Sequence, residues 1–140
     1  MNAGLRTACS PPPIGVGARL RTVCIVDDDA DIRDVLARLV RTIGMSPELY
    51  DSAEAFLRRD VGSEIACLLL DVELGGMNGL ALLERVTAER QAYPVFLMSG
   101  HHDAQSRSNA VRLGAMVVEK PFDARMLGRS ILAAVGAGSG

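Results

Sequence analysis

Polar residues that could carry out chemistry follow short apolar runs at four places in the chain. They are Asp27, Asp28 and Asp29 after the first run, Asp71 after the second, Ser99 after the third and Lys120 after the fourth. Taken singly, each has a simple structural explanation, such as a helix cap, a turn, a loop contact or a solvated surface charge. Their repeated position at the ends of apolar runs makes a shared site the stronger interpretation.

Phosphoryl transfer is the chemistry that this set of groups favours. Carboxylates brought close together repel, and a divalent cation relieves that repulsion. Mg²⁺ prefers oxygen ligands and often takes one or two carboxylates together with phosphate oxygens. Lys120 would add a second positive charge, as a phosphoryl-transfer site requires. Asp71 is then the candidate nucleophile, forming an aspartyl phosphate, and the Ser99 hydroxyl can donate to a phosphate oxygen.

Five strands are predicted to position these groups. Short apolar runs that end in turn residues are typical of buried strands, and strands apolar on both faces belong to the middle of a parallel sheet. Pro47 places the second strand at an edge. Asp71 would therefore lie at the carboxyl edge of the sheet, where open α/β folds bind their ligands. The predicted strands are Val23–Val26, Met45–Tyr50, Cys67–Leu70, Val95–Met98 and Met116–Val118.

Five helices are predicted between and after these strands. The first has apolar residues at steps of three and four, a start capped by Asp29 or Asp31, and an end at Gly44. Asp51-Ser52-Ala53-Glu54 resembles a capping box for the second. The third would turn Leu80, Leu83 and Val86 inward, and the fourth has a thin apolar face of Ala110, Val111 and Leu113. The predicted ranges are 29–43, 51–59, 79–89, 103–113 and 123–135.

Strands and helices alternate five times, which predicts an α/β fold with a parallel sheet covered by helices on both faces. With the second strand at the edge, the strand order 2-1-3-4-5 follows. The expected fold class is a flavodoxin-like (βα)5 three-layer sandwich. The expected organisation is a flexible N-terminal lead-in over residues 1–21, containing Pro11–Pro13, one domain over 22–136 and a flexible tail over 137–140.

Composition excludes several classes of protein. The chain has 140 residues, 49% of them apolar, and a net charge of −2, so no basic surface for nucleic acid is expected. No apolar run is long enough to span a membrane, and the N-terminus lacks the apolar segment of a signal peptide. Cys24 and Cys67 lie in predicted strands, which favours buried free thiols in a reducing compartment. We therefore expect a cytoplasmic protein that is not a membrane protein.

Taken together, the motifs resemble a response-regulator receiver domain of two-component signalling over about residues 22–135. The matching pieces are Val26-Asp27-Asp28-Asp29, Leu69-Leu70-Asp71, Gly76-Met77-Asn78-Gly79, Met98-Ser99-Gly100 and Glu119-Lys120-Pro121-Phe122. The resemblance implies that the protein is not an enzyme with an external substrate. Instead, the resemblance implies that it would catalyse phosphoryl transfer to its own Asp71, from a histidine kinase or histidine phosphotransfer protein, and its own dephosphorylation.

The resemblance also implies roles for individual residues. Mg²⁺ or Mn²⁺ would bind the side chains of Asp28 and Asp71 and the backbone carbonyl of Glu73, with Asp27 holding a metal-bound water. Ser99 would be the switch hydroxyl and Lys120 the phosphate partner, followed by a cis peptide bond at Pro121. Phosphorylation would change contacts with a downstream protein, and the resemblance permits a homodimer through the 103–135 face.

The chain departs from the family pattern at three positions. Gly75 stands where the family usually has Pro, and Ser99 where Thr is commoner. Val117 stands where the family often has Tyr or Phe, so signal output would rely on backbone and loop shifts. Glu73 would add negative charge beside the pocket, whereas His101 and His102 are assigned no catalytic role.

Several alternatives remain open at this point. A haloacid-dehalogenase-type phosphatase would carry phosphate on Asp27 instead of Asp71, and a pseudo-receiver scaffold would never be phosphorylated. The chain could be a stand-alone receiver or one domain of a longer regulator. The stretch at 51–57 resembles receivers attached to DNA-binding domains, although no output domain is visible after Lys120.

Overall fold

The computed structural model describes residues 21–59, 64–89, 93–100 and 104–138. Within them, five strands alternate with five helices in chain order. These are β1 Thr22–Val26, α1 Ala30–Thr42, β2 Ser46–Tyr50, α2 Ala53–Leu57, β3 Ile65–Asp71, α3 Gly79–Ala88, β4 Val95–Ser99, α4 Ala104–Arg112, β5 Met116–Glu119 and α5 Ala124–Gly138. No helix in this part of the chain is both long and apolar enough to cross a membrane.

The sheet is parallel and has the order β2-β1-β3-β4-β5, as predicted, so β2 with its Pro47 lies at an edge. Val26 of β1 pairs with Leu70 of β3, and Asp71 pairs with Met98 of β4. Asp27 and Asp71 therefore follow neighbouring strands at the same level of the sheet. Ser99 pairs with Glu119, one residue before Lys120. The register alone thus gathers the four polar groups at the carboxyl edge.

Alternate residues of the central strands enter two separate cores. Cys24, Leu68, Leu70 and Leu97 pack with α2 and α3 on one face of the sheet. The other face packs with α1 and α5. The second core is formed by Val23, Ile25, Cys67, Leu69, Phe96 and Met98 from the strands, and by Leu36, Val40, Leu127, Ile131 and Val135 from the helices. Both faces of β3 are buried because it lies in the middle of a covered parallel sheet, which confirms the interpretation of its apolar run.

Most helix ends lie within two residues of the predicted ones, and the end of α5 lies three residues further on. Ser52, not Asp51, is the N-cap of α2, and its hydroxyl accepts a hydrogen bond from the Ala55 N–H at 3.0 Å. The predicted capping box is therefore wrong, because Glu54 lies one position too early to complete it. α5 runs to Gly138, past the predicted end at Val135 and into the predicted tail at 137–140. Glycine weakens a helix but does not end it, since its backbone can still donate and accept.

The inward faces of two helices were also only partly predicted. Leu82 and Leu83 of α3 are fully buried, whereas Leu80 is half-buried, so the apolar face is rotated from the predicted one. On α4, Ala110 is buried but Val111 is 64% exposed. α4 has too few apolar residues for their spacing to predict which side of the helix is buried. Its packing against β4 and β5 determines the buried side.

Gly79 allows α3 to begin directly against the end of β3. Its N–H donates to the Val72 carbonyl at 3.0 Å. A Cβ at this position would lie 2.1 Å from the Asp71 carbonyl oxygen and 2.8 Å from Val72 Cα. These are backbone atoms of Asp71 and of the residue that follows it, so they cannot yield without moving Asp71. Glycine is thus required at position 79 because the start of α3 passes too close to the backbone at Asp71 for a Cβ.

Gly79→Ala is expected to lower the free energy of unfolding by about 2–3 kcal/mol, because the new methyl group overpacks against the β3 backbone. Urea denaturation of the two proteins measures the difference. Gly75→Ala in the same loop is the matched control, since a Cβ there meets nothing within 4 Å and should leave the stability nearly unchanged. Equal stabilities for both variants would contradict the close approach at Gly79.

Candidate phosphorylation and metal site

Three carboxylates meet at the carboxyl edge of the sheet. Oxygen atoms of Asp27, Asp28 and Asp71 all lie within 4.8 Å of one another. Asp27 and Asp71 are buried, with exposures of 1% and 4%, whereas Asp28 is exposed to solvent. Like charges at this separation repel strongly when they are shielded from water. The cluster therefore has the oxygen donors, the charge and the solvent-facing side that a hard divalent cation requires.

One carboxylate oxygen of Asp27 is buried without a hydrogen-bond partner among the described residues. Its Oδ1 accepts from the Asp29 N–H at 2.9 Å, but its buried Oδ2 has no hydrogen-bond partner among the described residues. Burial raises the pKa of Asp27 to about 6, and the negative charge of Asp71 adds to this effect. A buried carboxylate oxygen without a partner is costly, so a cation or its bound water would satisfy an existing need. The residues present thus fit a divalent metal ion.

Asp71 is paired with Lys120 across the sheet. Asp71 Oδ1 lies 3.0 Å from Lys120 Nζ and accepts from the Glu73 N–H at 3.1 Å. Asp71 is the last residue of β3, and Lys120 directly follows β5. The backbone N–H of Lys120 donates to the Ser99 carbonyl at 2.8 Å. The Lys120–Pro121 peptide bond is cis. The arrangement places a positive charge directly against one oxygen of the central carboxylate.

Ser99 lies at the end of β4 and is completely buried. Its hydroxyl donates to the neighbouring Gly100 carbonyl at 3.0 Å. The hydroxyl is thus satisfied locally and is not bonded to Asp71. Val117, at the position where the family often has an aromatic residue, is half-buried and packs on the core that faces α2 and α3. His101 and His102 lie outside the described residues, as do residues 1–20 of the predicted lead-in.

Two side chains near the site were not predicted. Arg33 of α1 is the first, and its Nη1 donates to the Asp27 carbonyl at 2.7 Å. Glu54 of α2 accepts a hydrogen bond from the Met77 N–H at 3.0 Å, in the loop after Asp71. Both contacts join segments that are brought together only by the fold. The only sequence signal for the Glu54 contact was the pair Gly75-Gly76, because two glycines leave the loop in need of a contact from another segment to fix its path.

Comparison with known proteins identifies the family. The family model for the response regulator receiver domain matches residues 23–132. The chain is 37% identical over 102 residues to the transcriptional regulatory protein FixJ of Bradyrhizobium diazoefficiens, covering 72% of this chain and 50% of that protein. It is 35% identical over 118 residues to the response regulator protein TodT of Pseudomonas putida, covering 84% and 52%. The chain thus spans about half the length of these curated relatives.

Solved structures agree with the sequence relatives. Full-length FixJ from B. japonicum superimposes with a TM-score of 0.78 at 34% identity, covering 84% of this chain and 59% of that one. A CheY-like receiver domain from Methanospirillum hungatei gives a TM-score of 0.80 at 24% identity, covering 86% and 98%, which supports the fold alone. The predicted flavodoxin-like topology and the predicted family are both confirmed, and the chain belongs to the response regulator receiver domains of two-component signal transduction.

Proposed function

We propose that this domain accepts a phosphoryl group on Asp71 from a histidine kinase or a histidine phosphotransfer protein and thereby switches its protein contacts. The observation that carries the proposal is the environment of one carboxylate. Asp71 shares the acidic cluster with Asp27 and Asp28, and its Oδ1 lies 3.0 Å from Lys120 Nζ. A nucleophile, a cation site and a fixed positive charge are the components that phosphoryl transfer needs.

The transfer is a displacement at phosphorus. An oxygen of the Asp71 carboxylate supplies the electron pair for the new P–O bond, and the bond from phosphorus to the donor's nitrogen or oxygen breaks with its electron pair. The donor group leaves and takes up a proton. Lys120 is already within hydrogen-bond distance of Asp71, so its charge can follow the oxygens of the incoming phosphoryl group. Hydrolysis of the aspartyl phosphate by water returns the domain to its starting state.

Mg²⁺ or Mn²⁺ is the expected cofactor, and Asp28, Asp71 and the Glu73 carbonyl would hold it, with Asp27 holding a bound water. The unpartnered Oδ2 of Asp27 supports this assignment. When bound, the cation would supply neutralising charge to the carboxylates and to the phosphate oxygens. Arg33 holds the backbone of the acid pair through its 2.7 Å hydrogen bond to the Asp27 carbonyl.

Ser99 and the face formed by α4 and β5 are proposed as the element that transmits the signal. The Ser99 hydroxyl must exchange its bond to the Gly100 carbonyl for one to a phosphate oxygen, and the loop that follows β4 would move with it. Val111 and Met116 leave apolar side chains exposed on this face. We propose that it contacts a downstream protein or a second copy of this chain, within residues 103–135.

The setting follows from the same role. FixJ is named a transcriptional regulatory protein, which makes the control of transcription the first candidate for the output. We propose that the domain acts in the cytoplasm, where the buried free thiols of Cys24 and Cys67 would remain reduced. The family assignment lends no support to a phosphatase that uses Asp27 or to an unphosphorylated scaffold.

Incubation with acetyl phosphate and Mg²⁺ is expected to add one phosphoryl group to the purified protein, read by intact mass. Asp71→Asn should abolish the gain, because the amide has no carboxylate oxygen to act as the nucleophile. Asp34→Asn, which removes an exposed charge from α1, should be phosphorylated like the wild type. A gain that persists in Asp71→Asn would refute the site assignment. A gain that is lost in Asp27→Asn but kept in Asp71→Asn would favour the phosphatase hypothesis.

Mg²⁺ binding is expected to weaken as the pH falls through about 6, since burial raises the pKa of Asp27 to about 6 and a protonated carboxyl cannot support the cation. Below that pH, the apparent affinity should fall by up to about tenfold per pH unit. Asp27→Asn should bind more weakly at pH 7.5 but with a flatter pH profile. Titration of the half-saturating Mg²⁺ concentration between pH 5 and 8 measures both effects.

The same carboxylate affects stability when no metal is present. Because its folded-state pKa lies above the unfolded value of 3.8, the native state binds more protons between these values, and stability is lost as the pH rises through that window. Asp27→Asn should therefore raise the free energy of unfolding at pH 7 by about 1–3 kcal/mol, with a smaller effect near pH 4. Equal unfolding curves at pH 7 would contradict the burial of Asp27 and the lack of a partner for its Oδ2 among the described residues.

A further inference from the structure

Glu54 of α2 makes a long-range contact with the loop that follows the phosphorylation site. Its Oε2 accepts from the Met77 N–H at 3.0 Å, although the two residues are 23 positions apart in sequence. Ser52 is the N-cap of α2 through the Ala55 N–H, and the Glu54 carboxylate interacts both with its own backbone N–H and with the loop. The hydrogen bond to Met77 holds the pKa of Glu54 below its usual range, so the acceptor is charged at neutral pH.

The loop is shaped to receive this carboxylate. Gly76, directly before Met77, has a φ of +72°, a backbone conformation that L side chains rarely adopt. A Cβ on Gly76 would lie 2.9 Å from Glu54 Oε2. The backbone conformation therefore selects glycine at this position, and a Cβ there would press on the Glu54 carboxylate that accepts from the Met77 N–H. A backbone N–H that points at a carboxylate makes a charge-assisted hydrogen bond, which is stronger than one between neutral groups.

The contact acts on the middle of a loop whose two ends belong to the site. At its start, the Glu73 N–H donates to Asp71 Oδ1 at 3.1 Å. At its end, the Gly79 N–H donates to the Val72 carbonyl at 3.0 Å. Leu74 and Met77 pack their side chains on the core, but Glu54 fixes the main chain itself. Gly75 has open space around it, so the loop gains no rigidity from that position.

We propose that Glu54 is a positioning residue for the phosphorylation site, which fixes the path of the β3–α3 loop so that the Glu73 carbonyl stays beside Asp71 as a ligand for the divalent cation. The inference rests on the proposed function, since it assigns Glu54 a part in forming the same metal site. Among the described residues, Glu54 makes no hydrogen bond to Asp71. It acts through the Met77 backbone, and through it on the Glu73 carbonyl.

Three variants test this role. Glu54→Ala removes the acceptor, Glu54→Gln retains an amide oxygen that can accept from Met77, and Glu84→Ala removes an exposed charge from α3 as the control. Mn²⁺ binding to the unphosphorylated protein is measured by the electron paramagnetic resonance signal of the free ion. Glu54→Ala should weaken binding about tenfold, the lower end of the ~10–100-fold effect of residues that orient metal ligands. Glu54→Gln should recover most of the affinity, and Glu84→Ala should match the wild type.

Kinetic and exchange measurements separate positioning from a general loss of structure. In Glu54→Ala, the acetyl phosphate reaction should need about tenfold more Mg²⁺ for half its maximal rate, while the rate at saturating Mg²⁺ stays within about twofold. Hydrogen exchange at the Met77 amide should speed up in Glu54→Ala but not in Glu84→Ala. Weaker Mn²⁺ binding, the higher Mg²⁺ requirement and faster exchange at Met77, all in Glu54→Ala, would together support the positioning role.

Two outcomes would overturn it. Unchanged Mn²⁺ affinity in Glu54→Ala, despite faster exchange at Met77, would show that the loop contact does not reach the metal site. Equal losses of affinity in Glu54→Ala and Glu54→Gln, with lowered unfolding stability in both, would show a purely structural role. Failure of the wild type to be phosphorylated, combined with a tenfold loss of Mn²⁺ affinity in Glu54→Ala alone, would refute the proposed function and leave the positioning role supported.

Discussion

Repulsion among three carboxylates at one edge of a parallel sheet is the constraint on which the rest of the structure depends. Asp27 and Asp71 are held by neighbouring strands whose register is fixed, so they cannot separate to relieve it. Lys120 offsets part of the charge from the far side, at 3.0 Å from Asp71. The remaining negative charge favours the proposed binding of a cation, because an ion that neutralises the cluster would relieve the repulsion among the carboxylates.

The two cores explain why such an unfavourable cluster is tolerated. β1, β3 and β4 bury apolar side chains on both faces, which contributes roughly 1.5–3 kcal/mol for each large side chain removed from water. The cost of holding Asp27 and Asp71 in a buried environment is small beside that sum. The polar groups of the candidate site are confined to the last residue of a strand or to the residues directly after it. The two apolar cores therefore end at the residues of the candidate site, and the polar side chains of the site do not interrupt them.

Sequence patterns predicted most of this arrangement because the governing signals are local. The doubly apolar runs predicted the strands, Pro47 predicted the edge, and the polar residues after the runs are the ones that the fold brings together at the carboxyl edge. The patterns failed where a contact joins distant segments or where rotation of a helix matters. The start of α2 lies one position later than predicted, so Glu54 does not complete a capping box and instead accepts from the distant Met77 N–H. Arg33 likewise reads as a solvated residue of α1 until the fold brings the Asp27 carbonyl within 2.7 Å.

The separation of the two cores has a consequence for observing the domain in solution. Cys24 enters the core beneath α2 and α3, whereas Cys67, on the neighbouring strand, enters the core beneath α1 and α5. Both thiols are buried, and burial raises the pKa of each to about 12, so a thiol reagent reacts with either only when its layer opens. The modification rates of the two cysteines therefore report the opening of each layer separately. The chain thus carries a natural probe on each side of its sheet.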